Sequence, residues 1–565
     1  MLYERHLKNE AKKFRDKFNL YDLFGQLSEL LKFRHSRYVN IKVLIFGTII
    51  LPFFLTSKMR NFLSRKNTAY QFSIHNLYNS CRKSLAYYNN FSIDVKSDCT
   101  FSSHTELSNF IYTIAKCIRE RKSISRGFRS YRIARRLCDK SVIPQEADFF
   151  VILIEKNIYK VPLNIEQKSL KFFLADVFHH MLKNDEILAS ESKNVLTACS
   201  AMERSPWSKL EKLFNDSDTE KLQLLRKGRF VLCMDTTKSE SASHKSNIDN
   251  RFFDKAIQIC INIYRNKLTF IFEHSSFDGA RAATISKELM AYIDKCKTGS
   301  RKFVKSDKIE HGCKRYNNII ESEQVLSLYF EEREKLEKIS RLYFEKHASV
   351  YLSNHQQRLG DCMVQLAIFL AYYEVFGITP SMYEPVEIFS LGNSSLDFID
   401  PIVIPQRFLR QENQRFDIPR NLDQLIAQHR NRVKRSKKGR GLLANLMQMT
   451  TYPLLGKRLN AILQNVLENC IVKILPDFRF LYTRNLMAAN GSFHSSFTRF
   501  GTVVHRDEMI GVGYMISQKH VVLSVNSNLV LRENNLENFV TAIKKNIIKI
   551  HCQRNKLSEG VKNEY

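Results

Sequence analysis

Apolar runs that end in polar turns indicate buried strands in the middle of the chain. Such runs, rich in β-branched and aromatic residues, are typical of strands. They occupy residues 149–154, 159–163, 230–235, 256–264 and 268–272. Three more segments near the end of the chain predict strands at 500–504, 511–517 and 520–526. The first two runs are predicted to pair as a hairpin.

Apolar residues at helical spacing predict helices around these strands. The predicted helical segments are 104–140, 165–225, 281–296, 317–347, 358–376, 419–438 and 536–550. Residues 61–100 show no clear period and are also expected to be helical, with a flexible connection as the alternative. Because strands and helices alternate, the predicted fold class is α/β (mixed α+β). A chain of 565 residues is too long for one core, so two lobes are expected.

The composition is globular, with 44% hydrophobic and 26% charged residues. The chain has 88 Lys and Arg against 57 Asp and Glu, a formal net charge of +31. This excess indicates a polyanionic partner, and nucleic acid, an anionic membrane surface and phosphorylated cofactors all remain open. The twelve cysteines form no CxxC pair, so we expect no metal site and reduced, mostly buried thiols.

An apolar run at 41–55 lies between basic residues. Its 15 residues place it between a buried core helix and a membrane span, and both interpretations stay open. No cleavable secretory signal is visible at Met1. Acidic residues within 1–40 weaken the interpretation of this region as a mitochondrial presequence.

The strand at 268–272 ends in a polar turn that carries candidate chemistry. Glu273 and His274 begin the turn, and Asp278 follows four residues after the histidine. A histidine at a rigid strand end is well placed as a general base, and a carboxylate can hold one of its ring nitrogens. The alternative is an ordinary strand end with a capping histidine. Glu273 is interpreted as a structural acid.

Two motifs flank this strand. Asn250–Lys255 reads N-R-F-F-D-K, and Glu273–Gly279 reads E-H-S-S-F-D-G. Together they resemble the carnitine/choline acyltransferase family, in which N-R-W-F-D-K precedes a strand ending in E-H-S/A-x-x-D/E-G. The resemblance extends in order over roughly 130–550. It includes L-T with Arg204 and Trp207, F-V-L-C-M-D at 230–235, the helix at 365–377, Tyr383-Glu384, and F-G-T-V-V with G-V-G-Y at 500–514. The chain resembles carnitine O-palmitoyltransferase-like members most, as a divergent sequence.

The resemblance implies a two-lobed acyltransferase, each lobe a mixed sheet flanked by helices, with the active site in a tunnel between the lobes. The expected division is a divergent N-terminal region at 1–100, an N-terminal catalytic lobe at 101–310 that carries His274, and a C-terminal lobe at 311–565 with the acceptor and CoA sites. The N-terminal region includes 41–55 as a candidate for membrane association.

The resemblance also implies direct transfer of a fatty acyl group between coenzyme A and carnitine, without an acyl-enzyme. His274 would be the general base, and Asp278 would orient its ring. Ser495 and Ser496, in H-S-S, would take the place of the family's S-T-S element, whose hydroxyls stabilise the oxyanion.

For carnitine, Tyr383 and Ser394 match the family's tyrosine and threonine, but Ala444 stands at the arginine place. For CoA, Asp361 matches an aspartate, and Asn354 falls at a lysine place with Arg358 near it. These departures leave a second hypothesis open, a catalytically impaired paralogue that acts as a binding or regulatory protein.

Acyl-CoA and carnitine are therefore the expected partners. CoA is a co-substrate, and no permanently bound cofactor is expected. A membrane surface is a further candidate, and nucleic acid is not expected because the positive charge is spread along the whole chain. The resemblance to long-chain members suggests a mitochondrial, membrane-associated monomer.

Overall fold

The computed structural model describes the chain in separate stretches. They are residues 82–96, 101, 103–135, 139–144, 146–154, 157–183, 196–236, 247–297, 312–352, 359–380, 382–388, 395–399, 422–437, 486–491, 495–504, 507, 509–528 and 533–562. The chain forms two compact units. The first unit comprises Leu77–Tyr351 and Asn490–Glu533, and the second comprises Met1–Asn76, Leu352–Ala489 and Asn534–Tyr565.

The described strands are β1 Asn90–Val95, β2 Tyr131–Ile133, β3 Lys140–Val142, β4 Phe149–Ile154, β5 Asn157–Pro162, β6 Val231–Asp235, β7 Ile257–Asn262, β8 Lys267–Glu273, β9 Lys314–Asn317, β10 Phe344–Tyr351, β11 Met382–Ile388, β12 Ser395–Ile399, β13 Leu486–Asn490, β14 Phe497–Phe500, β15 Ile510–Ile516 and β16 His520–Ser527. The described α-helices are α1 Leu85–Tyr88, α2 His104–Glu120, α3 Lys122–Phe128, α4 Gln167–Lys183, α5 Arg204–Leu210, α6 Asp216–Lys227, α7 Gly279–Lys297, α8 Glu323–Leu342, α9 Asp361–Phe376, α10 Leu422–Lys437 and α11 Glu533–Lys562.

An eight-stranded mixed sheet organises the first unit. Its strand order is β14-β1-β8-β7-β6-β4-β5-β9. The β4–β6 and β6–β7 pairs are parallel, and the other pairs whose register is determined are antiparallel. The central strands are buried along nearly their whole length, which explains why they appear in the sequence as nearly continuous apolar runs.

The two faces of the sheet are covered differently. A core cluster on one face includes Trp207, Cys260 and Ile271. Successive residues of a strand point to opposite faces, so Phe270 and Phe272 point away from this cluster. Gly127 of α3 fits closely against Ile285 of α7 and against Phe277, which precedes α7, so α3 packs tightly on this part of the chain. The first unit also holds the antiparallel strands β10-β16-β15.

In the second unit, β11 pairs in parallel with β13 and antiparallel with β12. Helix α9 begins at Asp361 and ends before Gly377, which adopts the left-handed conformation that glycine tolerates best. The described part of α9 is buried along most of its length, as its uniformly apolar sequence predicts. These arrangements confirm the predicted mixed α/β class.

Four predicted elements differ from the structure. The helical expectation for 61–100 is wrong at 90–95, which form β1. The helix predicted at 104–140 ends at Phe128, and β2 and β3 follow. The helix predicted at 317–347 is limited to α8, because residues 344–351 pair with β16 along eight positions. The strand predicted at 500–504 lies earlier, as β14.

The predicted boundaries treat each lobe as one continuous segment, whereas each unit combines separate segments. The first unit includes residues from near the end of the chain because β14 pairs with β1. No helix in the described ranges is long and apolar enough to cross a membrane, and the segment 41–55 lies outside those ranges. The described cysteines are free thiols, and most of them are buried, as expected.

Candidate active site

His274 lies directly after the last residue of β8. Its backbone N–H donates to the carbonyl of Asn89 at 3.0 Å, which fixes the strand end against the start of β1. The half-buried imidazole packs edge-on against Phe91, with ring centroids 5.3 Å apart. Burial lowers the pKa of His274 to about 4, opposed by a hydrogen bond with its own backbone. The ring is therefore neutral at pH 7 and can accept a proton.

Asp278 lies at the start of α7. Its Oδ1 accepts from the backbone N–H of Arg281 at 2.8 Å, and its carbonyl accepts from Ala282 at 3.0 Å. This is the geometry of a helix N-cap. Asp278 therefore stabilises the helix that follows the His274 turn, and its orienting action on the imidazole stays a prediction.

The family-like motifs of the first unit meet at one buried carboxylate. Asp254, from N-R-F-F-D-K, accepts from Arg204 Nη2 at 2.6 Å and from Trp207 Nε1 at 2.7 Å. In the same motif, Arg251 forms an ion pair with Asp235 at the end of β6. These motif residues hold the loops around the sheet together, so they contribute to architecture rather than to proton transfer.

Ser495 and Ser496 lie at the far end of the sheet from His274. The carbonyl of Ser496 accepts from the backbone N–H of Lys96 at 2.7 Å, just beyond β1. In the antiparallel β1–β8 register Val95 pairs with Leu268, whereas Asn90 pairs with Glu273. A strand rises by about 3.3 Å per residue, which puts these serines roughly 20 Å from His274. The predicted oxyanion role of Ser495 and Ser496 does not fit this register.

The predicted acceptor and CoA residues belong to the second unit. Tyr383 is half-buried on β11, and Asp361 is the first residue of α9. Ser394, Asn354 and Arg358 lie outside the described residues.

The structure adds two partners to Asp361 that sequence reasoning does not assign. His429 Nε2 lies 2.8 Å from Glu384 Oε2 and 3.7 Å from Asp361 Oδ2. Burial and the charge of Asp361 raise the pKa of Glu384 well above its usual range, and burial lowers the pKa of His429. Burial therefore favours the uncharged forms of both Glu384 and His429. The three ligand atoms lie within 4.8 Å of one another, a spacing that also suits a divalent cation.

Positive charge surrounds this group. Arg430 and Arg432 of α10 lower the pKa of His429, and Lys437 lowers that of Glu384, through their charges. The sequence predicts the helix at 419–438, which carries His429 among basic residues, but it does not reveal that this helix packs against α9.

A sequence model of the choline/carnitine O-acyltransferase family matches residues 58–545 of the chain. No curated protein matches it in sequence. Among solved structures, the chain is similar to the epimerization domain from the third module of tyrocidine synthetase B. That match has 10% identity and a TM-score of 0.41, and it covers 85% of this chain and 96% of that chain.

Two other solved structures have comparable similarity. The starter condensation domain of rhizomide synthetase RzmA is 10% identical, with 86% of this chain and 95% of that chain covered and a TM-score of 0.36. The polyketide synthase associated protein 5 from Mycobacterium tuberculosis is 9% identical, with 85% and 96% covered and a TM-score of 0.34.

Proposed function

The chain belongs to the choline/carnitine O-acyltransferase family, and within it we propose that the protein transfers a fatty acyl group between coenzyme A and carnitine. The single observation that carries the proposal is His274, a neutral imidazole at the rigid end of β8. Its low pKa, about 4, keeps it in the acceptor form at physiological pH. A positioned base of this kind typically contributes 10²–10⁴-fold to a reaction rate.

In the proposed reaction, His274 takes the proton from the hydroxyl of carnitine as the oxygen attacks the thioester carbon. The C–S bond then breaks, and the same imidazole returns the proton to the departing thiolate of CoA. The reverse reaction uses the same residue. No acyl-enzyme forms, because the acceptor oxygen attacks the acyl group directly.

Coenzyme A would bind near Asp361, where α10 supplies Arg430 and Arg432. Guanidinium groups suit phosphate oxygens because they donate in a planar fork. This charge supports CoA binding even though the lysines of the family's motif are replaced. Carnitine remains the proposed acceptor, through Tyr383 and Ser394.

The test is release of CoA from acetyl-, octanoyl- and palmitoyl-CoA, with carnitine and separately with choline as acceptor, by the full chain and by His274→Ala. We expect acceptor-dependent release, faster with carnitine and a longer acyl chain, and a loss of at least about 100-fold in the variant.

Equal rates for the two proteins would contradict the role of His274. A different outcome, no release with any pair of substrates and no CoA binding in calorimetry, would favour the impaired paralogue. The distance of Ser495 and Ser496 from His274 supports this second candidate. Without these serines, the oxyanion lacks the hydroxyl donors that the resemblance implies.

A further inference from the structure

The carboxylate of Glu273 accepts hydrogen bonds from the residues that follow His274 and from Asn89 at the start of the neighbouring strand. Glu273 is 1% exposed. Its Oε1 accepts from the backbone N–H of Ser275 at 3.1 Å, and its Oε2 accepts from the hydroxyls of Ser275 at 2.5 Å and Ser276 at 3.3 Å. The side chain of Asn89 donates to the same carboxylate. One acid thus ties the two residues that follow the histidine to Asn89, at the start of the neighbouring strand.

The same groups hold the histidine's own backbone. The carbonyl of Asn89 accepts the N–H of His274, while its side-chain amide binds Glu273. The backbone N–H groups of Ser276 and Phe277 donate to the Glu273 carbonyl at 3.1 and 3.2 Å. Because neighbouring strand residues point to opposite faces, Glu273 does not share the face on which the imidazole meets Phe91. It can act on the ring only through the backbone.

A buried cation keeps this carboxylate in place. Arg132 Nη1 donates to Glu273 Oε1 at 2.7 Å, and both side chains are 1% exposed. Arg132 also pairs with Asp139 at 2.7 Å, and Asp139 pairs in turn with Arg204 at 2.6 Å. Charges of alternating sign thus run from the His274 turn to the carboxylate of Asp254, which Arg204 also binds.

We propose that Glu273, held by Arg132, is a positioning residue for His274: its carboxylate fixes the turn that presents the imidazole to the reacting hydroxyl. The catalytic part of this inference rests on the proposed function. A displacement of about 1 Å in a catalytic group can cost about 100-fold in rate. The sequence assigned Glu273 to structure alone, and its bonds to Ser275, Ser276 and Asn89 give it this more specific role.

The test compares Glu273→Gln and Arg132→Lys with a matched control, Asp218→Asn. Glutamine retains the size of Glu273 but presents an amide N–H₂ to a site filled with donors. Lysine keeps the charge of Arg132 but lacks the planar guanidinium that donates to both Glu273 and Asp139. Asp218 is also a fully buried carboxylate with backbone donors, Glu321 and Ser322, each at 3.1 Å, and it belongs to α6, away from the His274 turn.

The decisive readout is the titration of the His274 ring by NMR in full-length protein with ¹³C-labelled histidine, assigned by the signal lost in His274→Ala. We expect the pKa of His274 to rise by about one unit or more, toward the ordinary histidine value, in both test variants as water reaches the ring. In Asp218→Asn the pKa of His274 stays near 4, even if the melting temperature of this control falls as much as that of the test variants. In the acyl-transfer assay, kcat falls at least about 30-fold in Glu273→Gln while KM changes by less than about twofold.

An unchanged titration in both test variants, with a loss of melting temperature like that of the control, would overturn the proposal and leave a structural role only. If Glu273→Gln does not fold, the titration of His274 in Ser275→Ala tests the proposal instead. This variant removes one hydroxyl donor to the carboxylate, and a smaller rise in the same pKa is expected, whereas no rise would count against the proposal. A chain without acyl transfer would contradict the proposed function, and the titration would still decide the positioning of His274.

Discussion

The N–H of His274 donates to the carbonyl of Asn89 at 3.0 Å, one residue before β1 begins. This bond joins the end of β8 to the start of the neighbouring strand β1. The backbone of His274 is therefore held by the sheet and does not belong to a loose loop. Phe91, two residues further along, provides the apolar surface that the imidazole packs against. The low pKa of the ring follows from this apolar burial.

The pH dependence of the reaction follows from that pKa. Burial lowers the pKa of His274 to about 4, so the ring is deprotonated at pH 5 and above. We expect kcat/KM to rise with pH through an acid limb near 4 and to stay level from about pH 5 to 7. Initial rates between pH 3.5 and 7.5, with stability checked at each pH, measure this limb. A limb near 6.5 would show that the ring is solvated in the free enzyme.

The same shift contributes to stability in a defined direction. The unfolded chain, with an ordinary histidine pKa of 6.5, binds a proton that the folded chain does not bind until about pH 4. The contribution of the neutral His274 ring to the free energy of unfolding is therefore fully present above pH 6.5 and is lost as the pH falls toward 4. Between pH 7 and 5, the melting temperature of His274→Phe should therefore fall less than that of the wild type.

Replacing both Ser495 and Ser496 with alanine should leave acyl transfer nearly unchanged, within about twofold. The register of β1 with β8 and the bond from Lys96 to Ser496 place these residues at the opposite end of the sheet from His274. The rate of CoA release with saturating acyl-CoA and acceptor measures the effect, with His274→Ala as the comparison. A loss greater than tenfold would show that this end of the sheet serves the reaction.

Asp254→Asn should lower the unfolding free energy by about 3–5 kcal/mol. The substitution removes one of the two carboxylate partners of Arg204, which keeps only Asp139. It also turns an amide N–H₂ toward Trp207 or Arg204, both donors that are fully buried. Denaturant unfolding followed by Trp207 fluorescence reports on this site. Asp216→Asn, at the exposed start of α6, is the matched control and should cost less than about 1 kcal/mol. Equal losses in the two variants would contradict the importance of the buried pair.

Glu384→Gln should unfold at the same or a higher temperature than the wild type at pH 8, and its advantage should disappear toward pH 5. Burial and Asp361 raise the pKa of Glu384 in the folded chain. The folded state therefore retains a proton that the unfolded state has released, and wild-type stability falls as the pH rises above the ordinary glutamate pKa. Glutamine is neutral at every pH and can donate to His429 in place of the protonated acid.

Calorimetric scans at pH 5, 6.5 and 8 measure this difference. Glu374→Gln is the matched control, because Glu374 pairs with Lys545 at the surface and should show no such trend. A Glu384→Gln variant that becomes less stable than wild type as the pH rises would show that the carboxylate is ionised in the folded chain.

The sequence by itself determined the central strands and the location of the base. β4, β6, β7 and β8 are buried along nearly their whole length, so each leaves a continuous apolar run that is readable without neighbours. The polar residues that end β8 place His274 at a strand end for the same reason.

Strand β1 was not predicted because it is only six residues long and has no continuous apolar run, since Ser92 and Asp94 interrupt its apolar positions. Those polar groups are buried because Arg499 Nη2 donates to Ser92 Oγ at 2.5 Å and Arg499 Nε pairs with Asp94 at 3.0 Å. Thr269 adds a hydrogen bond to Asp94 at 2.8 Å. The donors come from other strands, so the local pattern gave only a polar, aromatic segment.

Tertiary structure alone decided which polar residues meet. Order along the chain placed Ser495 and Ser496 in an oxyanion motif, but antiparallel register places them at the far end of the sheet. The grouping of Asp361, Glu384 and His429, and the contacts of Glu273 with Asn89 and Arg132, join residues that are far apart in sequence. Hydrogen bonds and ion pairs of this kind form only across packed elements, so no local periodicity records them.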